Sequence, residues 1–72
     1  SRDTVLQLAF GFQATLNQAQ SLLRYANMST LYPRIKRDAV VIYCLQHKFA
    51  LWDTQSILQE LDLPMIGERK NG

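Results

Sequence analysis

Two groups of residues in this 72-residue chain have the types and spacing to do chemistry. Cys44 and His47 stand one helical turn apart, the arrangement of a thiol nucleophile and its base. A core thiol beside an imidazole at the negative end of a helix dipole explains the pair far better. His47 is the only histidine, and three of the six carboxylates fall in the first turns of expected helices, where capping accounts for them. There is no glycine-rich phosphate loop and no ligand spacing for a metal, so no catalytic residue, metal or cofactor is expected.

The second group is the basic run Arg34-Ile35-Lys36-Arg37. It opens a helix, where unpaired N–H groups also attract anions, and Tyr32 just before it offers a phosphate hydrogen bond. Such a surface touches backbone phosphate and does not read bases. The competing reading is a solvated face with its arginines paired to nearby acids, because three basic residues are a small electrostatic footprint. Net charge is +2 with a pI near 9.0, which permits a nucleic acid partner without demanding one.

These groups are positioned by the stretch RDAVVIYCLQHKF, residues 37–49. Six consecutive apolar residues, Val40 to Leu45, must be buried on nearly all sides. The spacing Ile35, Ala39, Ile42, Tyr43, Gln46 predicts a helix whose inner face carries them, with Arg34 and Asp38 paired outside. On that reading Ile42→Asp should unfold the chain. Pro33 suits the helix's first turn. Ahead of it, Ser1 caps a helix that weakens at Gly11. Thr15 and Gln18 form a capping box for a helix over 16–26, and Asn27 suits the left-handed turn ending it. A fourth helix covers 51–61, stopped by Pro64.

The chain repeats itself. Residues 2–28 fall on 37–63 at an offset of 35 without a gap. Arg2 meets Arg37, Asp3 meets Asp38, Leu16 meets Leu51, Gln20 meets Gln55 and Leu23 meets Leu58. The expected fold is all-α, a four-helix bundle-like unit made of two repeated helical hairpins. It implies one domain over residues 1–66 and a flexible tail over 67–72. Trp52 falls on the polar position of Asn17, which makes it an interface candidate together with Tyr25 and Met28.

One cysteine excludes an intramolecular disulfide, and a buried free thiol suits a cytoplasmic protein. No segment is long enough to span a membrane. The chain opens on Ser, which suggests a processed or truncated product. At 47 % apolar it is rich in core material for its length, so a further surface is expected to be covered by another copy or partner helices.

Residues 1–26, SRDTVLQLAFGFQATLNQAQSLLRYA, resemble the last two helices of lambda-repressor-like, Xre/Cro-type helix-turn-helix regulators. Ser1, Asp3, Val5, Leu6, Leu8 and Ala9 fill that family's D-x-L-x-x-L-A pattern, and Thr15-Leu16 opens its final helix. The LYP…RDA stretch, with its hydrophobic helix and the last amphipathic helix, looks like the helical extension of some small bacterial members. The resemblance implies the C-terminal part of a bacterial DNA-binding transcription regulator, supporting dimerisation. Its base-reading helices would lie in residues absent from this chain. It also implies phosphate contact by Ser1 and Arg2, beside the basic run of Arg34, Lys36 and Arg37.

Overall fold

The computed structural model describes residues 1–67. Four helices, α1 (Arg2–Gly11), α2 (Leu16–Tyr25), α3 (Lys36–Gln46) and α4 (Leu51–Glu60), form two hairpins. Helices pack mainly within each hairpin, α1 on α2 and α3 on α4. α1 also reaches α4, and α2 reaches α3. Among the described residues no helix is long and apolar enough to cross a membrane.

Local chemistry sets each helix. Ser1 and Thr15 accept from the backbone N–H of Thr4 and Gln18, and the Gln18 side chain returns the bond to Thr15 N at 2.9 Å. All four helices end in the same way. The N–H of Ala14, Met28, Phe49 and Leu63 reaches back five residues to Ala9, Leu23, Cys44 and Leu58 at 2.8–2.9 Å. The residue before each takes a left-handed φ: Gln13 (56°), Asn27 (62°), Lys48 (61°) and Asp62 (61°). This is the Schellman ending, closed by an apolar residue just past the turn. Gly11 is therefore the last residue of α1, but the left-handed turn itself is made by Gln13.

At the start of α4, Ala50 has the backbone of a cap, φ −76° and ψ 166°, close to the −73° and 168° of Thr15. It has no side-chain acceptor, so only the Asp53 half of the box forms, at 3.2 Å to Ala50 N. Ala50→Thr is expected to add the missing bond. The gain should be about 1 kcal/mol, read as a rise of about 4–8 °C in thermal midpoint.

The inner face of α3 differs from the sequence expectation. Asp38, Val41, Cys44 and Leu45 are buried, Ile42 is half-buried, and Ile35, Tyr43 and Gln46 are exposed. With every residue from 40 to 45 apolar, hydrophobicity alone cannot choose a face, and the buried ion pair of Asp38 chooses it. The helix also begins later. Pro33 and Arg34 lie in a turn closed by Ile35 N–H on Tyr32 O at 3.0 Å. Arg34 is exposed, and the acid expected to pair with it, Asp38, is taken by Arg2.

The repeat is structural and longer than the pattern suggests. After each hairpin the chain runs extended and returns beside the start of that hairpin's first helix. The Gln20 amide grips Leu31 through both N–H and C=O, at 2.7 and 2.9 Å. Gln55 grips Ile66 identically, at 2.8 Å each. Leu31 and Ile66 are thereby inserted into one core with Leu6, Phe10, Leu23, Val41, Leu45 and Leu58. Gly67 donates to Asp3 at 2.8 Å and so belongs to the fold, whereas residues 68–72 of the expected tail lie outside the described residues. Its φ of +79° suits glycine, and a Cβ there would run into the Gln7 side chain.

Candidate functional site

The charged residues at the starts of α1 and α3 meet across the two hairpins. Arg2 donates to both oxygens of Asp38, at 2.8 and 3.1 Å, and to the carbonyls of Ser29 and Thr30 at 2.9 Å each. Arg37 does the same in mirror order. It reaches Asp3 at 3.0 and 3.2 Å and the carbonyls of Pro64 and Met65 at 2.8 and 3.0 Å. Each carboxylate also takes one backbone N–H, from Tyr32 onto Asp38 at 3.0 Å and from Gly67 onto Asp3. We call this reciprocal arrangement the seam. It relates the hairpins by an approximate twofold axis, and each guanidinium makes bonds to both hairpins within the chain.

The seam fixes its own titration. Burial pushes the Asp3 carboxyl up, but the hydrogen bond from Arg37 and the N–H of Gly67 outweigh it and hold it below the ordinary range. The hydrogen bond to Asp38, against the effect of burial, holds Arg2 above its ordinary value. An acid with a depressed pKa in the folded state contributes stability that is complete above its unfolded value of about 3.9. That contribution is lost as pH falls through the folded pKa. The thermal midpoint should therefore hold steady near neutrality and fall below about pH 4. Asp3→Asn should flatten part of that fall, read by circular dichroism at a series of pH values.

Of the residues expected to touch phosphate, Arg2 and Arg37 are thus turned into the fold. Ser1 is exposed, but its hydroxyl caps α1 and bonds the Thr4 hydroxyl at 3.0 Å. Arg34 and Lys36 stand exposed, one in the turn and one in the first position of α3. The basic run is therefore split, and two of its cations remain at the surface.

Cys44 and His47 lie in different environments and bond to different partners. Cys44 is fully buried, and burial pushes its thiol up despite a hydrogen bond with Thr54. The exposed His47 ring stacks on Tyr43, with centroids 4.0 Å apart, and its Nδ1 lies 2.9 Å from Tyr43 O. Among the described residues no three His, Cys, Asp or Glu side chains gather as a metal ion would need.

The outer face of the first hairpin is different in kind. Phe12 is 74 % exposed and Tyr25 94 %, with Leu22 between them. With Ala14, Asn17, Gln18 and Ser21 they line an open groove of about 660 Å³. Phe12 and Tyr25 leave most of two large, largely apolar side chains in water, and exposed apolar surface gathered in one place is what a docking site offers. At the equivalent place on the second hairpin, Phe49, Asp53, Ser56 and Ile57 line a smaller depression of about 440 Å³. There His47 replaces Phe12 and Glu60 replaces Tyr25. Trp52, 80 % exposed, occupies the position of Asn17. Met28 is half-buried against the core and belongs to the end of α2 rather than to the outer face. Tyr25 was named from the sequence as an interface candidate. Phe12 was not, because beside Gly11 it reads as the end of an apolar stripe.

No protein-family model, no curated protein and no solved structure matches this chain.

Proposed function

We propose that this chain is a non-catalytic helical unit of a bacterial, Xre-type helix-turn-helix transcription regulator, which buttresses its DNA-reading helices and joins two copies through the outer face of the first hairpin. The observation that carries the docking role is the groove lined by Phe12, Leu22 and Tyr25. The unequal treatment of the two hairpins supports it. Their inner faces and turns are kept alike, while only the first carries aromatic residues at both ends of its outer face. The regulator class rests on the resemblance of residues 1–26 and of the LYP…RDA stretch. Reading of DNA bases belongs to residues outside this chain, and the cytoplasm is the compartment this role implies.

Sedimentation equilibrium tests the docking role. The chain should gain mass with concentration, and Phe12→Ser with Tyr25→Ser should lower that association at least tenfold with helicity unchanged. Both side chains are exposed, so their loss leaves the core intact. A double variant that associates like the parent would remove the reading. A labelled random duplex at low salt provides the second arm. Binding should be weak and lost on adding salt, since only Arg34 and Lys36 face outward from the basic run.

The engagement of Arg2 and Arg37 inside the fold favours one other reading, a stand-alone helical protein-protein interaction module with no nucleic acid role. Helix-turn-helix sequence directly before Ser1 in the natural chain separates the two.

A further inference from the structure

We infer that the seam is a self-complementary interface closed within one chain, and that a second copy of this chain can close it in trans by exchanging hairpins. The inference does not rest on the proposed function, because the seam and the outer face of the first hairpin are different surfaces. Each hairpin with its extended return offers the other one arginine and one aspartate, and adds one backbone N–H to the pairing. Arg2 and the N–H of Tyr32 go to Asp38, while Arg37 and the N–H of Gly67 go to Asp3. Contact of i with j and of the equivalent j with i is the defining property of an isologous dimer interface. The parts that hold each arginine in place, the carbonyls at 29 and 30 or at 64 and 65, come from the arginine's own hairpin. Each half therefore carries its side of the interface ready-made.

The halves are joined by only the turn of Tyr32, Pro33, Arg34 and Ile35, closed by one backbone bond of 3.0 Å. Opening that turn lets the first hairpin of one copy meet the second hairpin of another. Both seams then form with the same partners, and short connections of this kind favour exchange.

Two experiments on the whole chain test this. In the first, Pro33 and Arg34 are deleted in the Phe12→Ser, Tyr25→Ser background, which removes the turn and disables the outer face. Light scattering should give twice the mass of the variant's own chain, with helicity retained. A helical monomer, or a chain that recovers no helicity at any concentration, would overturn the inference. In the second, one chain carries Arg2→Asp and another carries Asp38→Arg. Each alone faces like charges across the seam and should lose helicity on heating well before the parent. Mixed and annealed one to one, they should form a heterodimer. In one of its seams the two substituted side chains pair with opposite charge, and in the other the unaltered Arg2 meets the unaltered Asp38. The transition should then move back toward that of the parent. A mixture that melts as the sum of its parts would count against exchange.

Discussion

Asp38→Ala is expected to destabilise the chain by about 3–5 kcal/mol, the range for breaking one side of a buried ion pair. Asp38 is 2 % exposed, and its carboxylate accepts two bonds from Arg2 and one from Tyr32 N–H. Removing it leaves the guanidinium and that N–H without their acceptor. A chain of this length has about 4–11 kcal/mol in total, so much of the population should unfold under mild urea. Asp3→Ala removes the equivalent carboxylate, but Asp3 is 28 % exposed and water can replace part of what is lost. About 2 kcal/mol is expected there. Urea titration of both variants compares them. Equal losses would mean that burial does not set the strength of the two halves of the seam.

Val41→Asp should unfold the chain altogether. Val41 is fully buried in the middle of α3, within a core formed by residues of both hairpins. The substitution places a carboxylate among apolar side chains with nothing to donate to it, at a cost of several kcal/mol. It also forfeits about 1.5–3 kcal/mol of apolar burial. Far-ultraviolet circular dichroism at neutral pH should show the helix signal gone. Ile42→Asp, one residue on, should be milder, because Ile42 is half-buried and a carboxylate there can reach water. A helical Val41→Asp variant would mean that α3 does not present the face described.

These two positions mark where the sequence stopped being readable. Four helices, the capping box at Thr15 and the turn at Asn27 follow from local chemistry, and the two hairpins follow from the gapless offset of 35; the late start of α3 does not. The face of α3 did not follow, because six apolar residues in a row carry no phase. Asp38 sets the phase, and its partner Arg2 lies 36 residues away. The repeat did contain the signal. An adjacent Arg-Asp pair occurring twice, in halves related by a twofold, can cross so that each arginine meets the other half's aspartate. Matching Arg2 to Arg37 records the likeness and hides the contact. The grip of Gln20 on Leu31 is hidden similarly, since a glutamine on a polar face gives no sign that it holds an extended segment.

At the candidate site, the exposure of Trp52 was readable from its match to the polar position of Asn17, Tyr25 entered only as an extension of that surface, and the groove itself was not readable. The basic run looked like the functional surface because its residues are neighbours in sequence. Folding separates them. Arg37 faces Asp3, and only Arg34 and Lys36 remain outside. What the fold leaves exposed in one place is the apolar outer face of the first hairpin, with Phe12 and Tyr25 at its ends.

Docking through that face is tested most directly by amide nitrogen–proton spectra of the whole chain over a rising concentration series. Concentration-dependent shifts are expected at Phe12, Asn17, Ser21, Leu22 and Tyr25, with Arg34 and Lys36 unmoved. Spectra that do not change with concentration, or shifts that gather at Arg34 and Lys36 while the groove stays still, would contradict it.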